Sequence, residues 1–332
     1  QRQMCIRDRY NTVDSLIVGN FLGSSALAAV SSSGSLIFML IGFLSGISAG
    51  AGVIVARFFG AGDEKNLQRA VHTTVAFGLV AGVLMTGVGV ALSPQILRWM
   101  DTPESVMRES VTYLQIYFAG SLGFVMYNVL VGILQAVGDS RHPLYYLIVS
   151  SVINLVLDLL FITGFHTGVG GAAVATVISQ IVSALLCFWQ LLRTKESYGL
   201  KIRKIRFDKG ILVQIIKIGL PSGVQNSIIA FANVIVQSNI NAFGEMAMAG
   251  YGAYTKVEGF GFLPINSFTM ALTTFVGQNL GAKQDERTKK GARFGILAAV
   301  ILAELIGVVV FLLAPQLIAA CLLYTSDAAD DT

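Results

Sequence analysis

Long apolar stretches separated by short charged loops dominate the chain, and their length restricts the folds open to it. An α-helix rising 1.5 Å per residue crosses the hydrocarbon core of a bilayer in about 20 residues. Barrel strands would be about half as long and would alternate apolar with polar side chains. The stretches here have the helical length. Of 332 residues, 54% are hydrophobic and only 13% charged, about half the charged fraction of a soluble domain, and the mean hydropathy is +0.70. The expected class is an all-α integral membrane protein. The formal net charge of +4 comes mostly from loops, so it reports topology rather than nucleic-acid binding.

About nine spans are expected, near residues 6–22, 34–58, 70–98, 110–136, 143–165, 170–192, 212–242, 248–280 and 291–318. The loop after the sixth is the most basic, with Arg193, Lys195, Lys201, Arg203, Lys204, Arg206 and Lys209 against Glu196 and Asp208. The positive-inside rule places it in the cytoplasm, together with the loops at 59–69, 137–142 and 281–293.

A spaced pattern occurs twice. Gly23, Ala26 and Ala28 are followed by Gly60-Ala61, and Gly244, Ala247 and Ala249 by Gly281-Ala282, a constant offset of 221 residues. Each copy ends in a charged loop: Asp63, Glu64, Lys65 and Arg69 in one, Lys283, Asp285, Glu286, Arg287, Lys289 and Lys290 in the other. Both copies run in the same direction across the membrane, which requires an even number of spans per unit. The expectation is two six-helix bundles related by a pseudo-two-fold along the membrane normal, the second incomplete. Residues 10–193 form the first bundle, 194–210 a basic cytoplasmic linker and 211–320 the first three helices of the second. Residues 1–9 and 321–332 are polar where apolar spans are expected. They read as non-native tails on a truncated chain; genuine polar termini are the alternative.

An ionisable group inside the bilayer is costly and usually marks a pathway or a wet cavity. Asp14 follows Tyr10 and Asn11 by four and three residues, which puts all three on one helical face. Ser151, Asn154 and Asp158 form a similar stripe, and Thr176 and Gln180 share a face of the following span. Two carboxylates with amide and hydroxyl neighbours can bind a proton or a small hard cation; a structural hydrogen-bonded pair between helices is the other reading. In the second half, Asn226, Asn233 and Gln237 share a face of the seventh span, and together with Tyr10, Asn11 and Gln180 they are expected to line the central substrate cavity. Lys256 and Glu258 are either substrate contacts or charges snorkelling to water. Pro264 should kink or break the eighth span, either as a hinge or as a static bend. Gly46, Gly50, Ala51 and Gly52 allow close helix approach.

The runs YNTVDSLIVGNFLGSSALAAVS, GAGVIVARFFGAGDE, LQAVGDSRHP and NLVLDLLFITGFHTGVGGAAVATVISQ resemble the first bundle of the multidrug and toxic compound extrusion (MATE) family. KIGLPSGVQNS through FVGQNLGAKQ resembles the start of that family's second bundle. The resemblance implies a twelve-helix exporter of organic, often cationic, compounds in exchange for H+ or Na+. It also implies that Asp14, Asn154, Asp158 and Thr176 form the cation or proton site, and Na+ is a possible ligand there. The family often has an arginine where Gln135 stands, and Gln225 and Asn226 occupy positions where some members carry an acid.

His72, His142 and His166 stand singly, and no Walker A motif, zinc spacing or nucleophile elbow is present. The chain is therefore expected to be a transporter rather than an enzyme. It should need no cofactor beyond its coupling ion and should act as a monomer on small organic substrates, multi-pass in the inner (plasma) membrane, with the lipid bilayer and not nucleic acid as partner. A flippase of lipid-linked oligosaccharides is the alternative, and would need a basic central cavity to hold pyrophosphate.

Overall fold

A computed structural model describes residues 24–330 apart from 101, 242 and 244. The described residues are helical throughout. They form α1 (Ser24–Gly60), α2 (Glu64–Trp99), α3 (Glu104–Ala119), α4 (Ser121–Ala136), α5 (Arg141–Leu159), α6 (Gly168–Arg193), α7 (Lys209–Asn241), α8 (Glu245–Gly281) and α9 (Asp285–Asp330). Among the described residues six helices are long and apolar enough to cross a membrane, or seven if α3 and α4 are one span. Those two form the expected span at 110–136, and they bend by 47° at Gly120. A β-carbon on Gly120 would lie 2.3 Å from a methyl of Val177, so the bend sits where α6 presses against the chain.

The helix α8 runs unbroken through Pro264, so the proline removes one helical donor without ending the helix. The helix α9 continues to Asp330.

The repeat is visible in the backbone. The helices α1 and α8 are both 37 residues long and start and stop at the same offset, and α2 and α9 begin at equivalent positions. The connecting turns match bond for bond. Ala61 N–H donates to Arg57 O at 3.0 Å and Ala282 N–H to Gln278 O at 3.0 Å; Asp63 N–H reaches Phe58 O as Gln284 N–H reaches Asn279 O. At the end of the first turn Asp63 caps α2 by accepting from the backbone N–H of Asn66 at 3.1 Å and its side-chain amide at 2.7 Å. These bonds, the backbone one foremost, hold the Asp63 carboxyl below its ordinary value of 3.8.

The most extensive helix pairing joins the two halves: α1 lies on α7. Glycines make the approach possible. A β-carbon on Gly46 would fall 2.2 Å from the nitrogen of Gly223, and one on Gly50 would fall 2.4 Å from that of Gly219. Asn226 adds a hydrogen bond of 3.0 Å from its amide to Gly42 O. Between membrane helices apolar burial gives little net drive, so such backbone proximity and van der Waals packing carry the association.

The linker is not a free tether. Residues 197–208 lie along the first turns of α2, where the Gln68 amide donates to Ser197 O and Gly199 O, and Thr73 accepts from Asp208 N–H at 3.0 Å. His72 accepts from Lys201 N–H at 3.0 Å through Nε2, and its Nδ1 meets Gln68 O. A proton on Nδ1 satisfies both contacts. Loops 61–63, 137–140 and 282–284 gather on the same face. Gln278 donates to Ala136 O at 2.8 Å, and a β-carbon on Gly60 would meet Gln278 O.

Candidate functional site

The interior polar groups of the first bundle lie where α5 packs on α6. Along α5 the buried positions are Pro143, Leu147, Ser150, Asn154 and Asp158, a spacing of three and four that puts one face inward. Asp158 is wholly buried and Asn154 is 2% exposed. The stripe expected from the sequence is rotated slightly: Ser150 is inside, whereas Ser151 is half-buried and donates to Leu147 O at 2.8 Å. On α6 the inward face carries Thr176, Ser179 and Ser183, with Gln180 beside them. The two serines spend their hydroxyls on the helix itself, Ser179 on Thr176 O and Ser183 on Ser179 O.

Of the buried polar atoms that make no hydrogen bond among the described residues, three lie in this interior: Asn154 Nδ2, Thr176 Oγ1 and Gln180 Oε1. Leaving such an atom unmet costs about 1–3 kcal/mol, so a polar partner at this interior would be favourable. Its carboxylate, amide and hydroxyl oxygens are hard ligands suited to a proton or Na+ rather than to a transition metal. No group of three His, Cys, Asp or Glu capable of holding a metal exists among the described residues. Tyr10, Asn11 and Asp14 lie outside the described residues.

Just beyond Asp158 the helix changes character, a feature the sequence pattern did not reveal. Leu160–Gly164 form a π-helical turn, closed by Phe165 N–H donating to Leu160 O at 3.0 Å. Thr167 then donates both its N–H and its hydroxyl to Phe161 O. Such turns widen the helix locally and often occur at functional sites. This one separates the carboxylate from the exposed loop at Phe165–Thr167.

The three residues of the stripe expected in the second half differ in their surroundings. Asn226 is engaged with Gly42, Asn233 is exposed and Gln237 is half-buried. The amide of Asn226 therefore joins α7 to α1. Glu258 accepts from Tyr254 at 2.8 Å on the same helix, and Pro264 is half-buried in α8.

Comparison with known proteins identifies the family to which this fold belongs. The MatE family model matches residues 3–160 and 221–328. The chain is 32% identical over 313 residues to the probable multidrug resistance protein YoeA of Bacillus subtilis (strain 168), covering 92% of this chain and 68% of that protein. It is 30% identical over 278 residues to the probable multidrug resistance protein YpnP of the same organism, covering 84% of this chain and 62% of that one. A solved MATE structure in the bent conformation superposes with a TM-score of 0.88 at 26% identity, over 95% of this chain and 71% of its own. With the family model matched over most of its length and the helical fold shared, the chain belongs to the MATE family of multidrug efflux transporters.

Proposed function

We propose that the protein is a secondary antiporter of the inner (plasma) membrane that exports organic, often cationic, compounds in exchange for H+ or Na+, and that Asp158 is the coupling carboxylate. The observation that carries the reading is a wholly buried acid within an apolar span, on the face of α5 that also carries Asn154 and in a helix packed on α6, whose inward face carries Thr176. A carboxylate placed there costs about 2.5–3.5 kcal/mol on insertion scales, an expense sequences rarely retain without a use. Proton or Na+ binding neutralises the charge. Loading then changes the relative stability of two states of the bundle, and coupling follows from the difference in ion affinity between those states. Asn154 and Thr176 supply an amide and a hydroxyl to orient the carboxylate or complete an ion's oxygen shell. Asp14 is proposed as the second acid of the same site, with Tyr10 and Asn11 on its face.

Few basic side chains lie within the spans, Lys217 and Lys256 among them, so the flippase alternative, which needs a basic central cavity, has no support among the described residues. The test is ion-coupled uptake of a cationic dye into inside-out vesicles. Asp158→Asn removes the titratable group while keeping size and one acceptor oxygen, and uptake is expected to fall to that of vesicles lacking the protein. Unchanged uptake would show that Asp158 is not the coupling group.

A further inference from the structure

Where the linker docks on α2, a pocket of about 410 Å³ opens. Its walls carry Lys65 and Arg69 from α2, and Arg203, Lys204, Arg206 and Asp208 from the linker. The backbone explains the gathering. Gln68, His72 and Thr73 hold the linker by its main-chain groups, which brings two basic segments together and leaves their charged heads projecting. Asp208 is already committed: it pairs with Arg69 at 3.7 Å and accepts from Ile211 N–H at the start of α7. Lys65, Arg203, Lys204 and Arg206 form no ion pair among the described residues. Like charges held together by a fold repel one another unless an anion joins them.

The surroundings point to the membrane surface. The basic run is flanked by Ile202, 60% exposed, and Phe207, 46% exposed. Close by in sequence, at the end of α6, Arg193 stacks over the exposed Trp189 at 4.4 Å. Apolar side chains bordering lysines and arginines, with a tryptophan at a helix end, are the composition of a bilayer interface.

We propose that this pocket binds a phosphate group, carried by an anionic lipid headgroup, between the interdomain linker and the start of α2. The site is separate from the Asp158 interior and does not depend on the coupling reading. Basic side chains near an anionic surface each add to its attraction, so removal of three should weaken binding by at least about tenfold.

The experiment titrates the purified protein with phosphatidylglycerol and counts bound lipid by native mass spectrometry. The triple variant Arg203→Gln, Lys204→Gln, Arg206→Gln is expected to bind it at least about tenfold more weakly. Its helical content should be unchanged, because the linker is held by backbone groups. A control with the same loss of charge, Lys289→Gln, Lys290→Gln, Arg293→Gln on α9, is expected to bind like the wild type. Competition by millimolar inorganic phosphate would support recognition of phosphate alone; resistance to it would support recognition of the lipid as a whole. Equal binding by wild type and linker variant, or an equal loss in the α9 control, would overturn the assignment.

Discussion

Gly62 and Lys283 occupy equivalent positions in the two copies of the repeat, and both have positive φ, 65° and 55°. For glycine this conformation carries no steric penalty, whereas for an L-residue it costs about 1–2 kcal/mol. A β-carbon on Gly62 would meet nothing within 4 Å, so packing does not complicate the comparison. Gly62→Ala is expected to destabilise by about 1 kcal/mol and Lys283→Gly to stabilise by a similar amount. Thermal unfolding of the two variants in detergent should show shifts of opposite sign; shifts of the same sign would mean that the turns are not conformational equivalents.

At the scale of elements, the glycines of α1 matter by position rather than by number. Gly46 faces the backbone of Gly223, where even a methyl group has no room, while Gly87 on α2 has nothing within 4 Å of its β-carbon. Gly46→Ala is expected to cost about 1–3 kcal/mol through overpacking of α1 on α7. Gly87→Ala should be neutral or stabilise by up to about 1 kcal/mol through helix propensity. A fluorescence-detected thermal shift distinguishes them, and equal shifts would mean that α1 and α7 do not approach this closely. These helices also show how far the sequence could be read. Span positions were legible because a bilayer demands uninterrupted apolar length, and the small face of α1 because Gly46 and Gly50 are one turn apart. Its partner was not legible, since Gly219 and Gly223 are as ordinary in sequence as any other small pair. Linker docking was hidden for a related reason: Gln68, His72 and Thr73 bind main-chain groups, which leave no signature in residue type. In the candidate site, Asp158 and Asn154 stood out as polar groups in an apolar helix. The inward rotation of Ser150 over Ser151 and the π-helical turn depend on packing and could not be read from spacing.

For the whole molecule, the repeat becomes a statement about motion. Ala56 and Gly277 are equivalent positions, and a β-carbon on Gly277 would lie 3.0 Å from that of Ala56. A residue that meets its own counterpart lies beside the pseudo-two-fold axis, so α1 and α8 close on each other at the face carrying the loops. The same closure presses Gly60 on Gln278 O and Gly281 on Arg57 O. If transport requires the two halves to open alternately, this contact must part in each cycle. A disulfide needs β-carbons about 3.5–4.5 Å apart, so the pair Ala56→Cys, Gly277→Cys needs only a small relaxation to cross-link. In a background with Cys5, Cys187 and Cys321 replaced, oxidation is expected to join α1 to α8 and to stop dye efflux. Reduction with dithiothreitol should restore it. Undiminished efflux by the cross-linked protein would show that this face stays closed throughout the cycle, and the opening would then have to be sought elsewhere in the bundle.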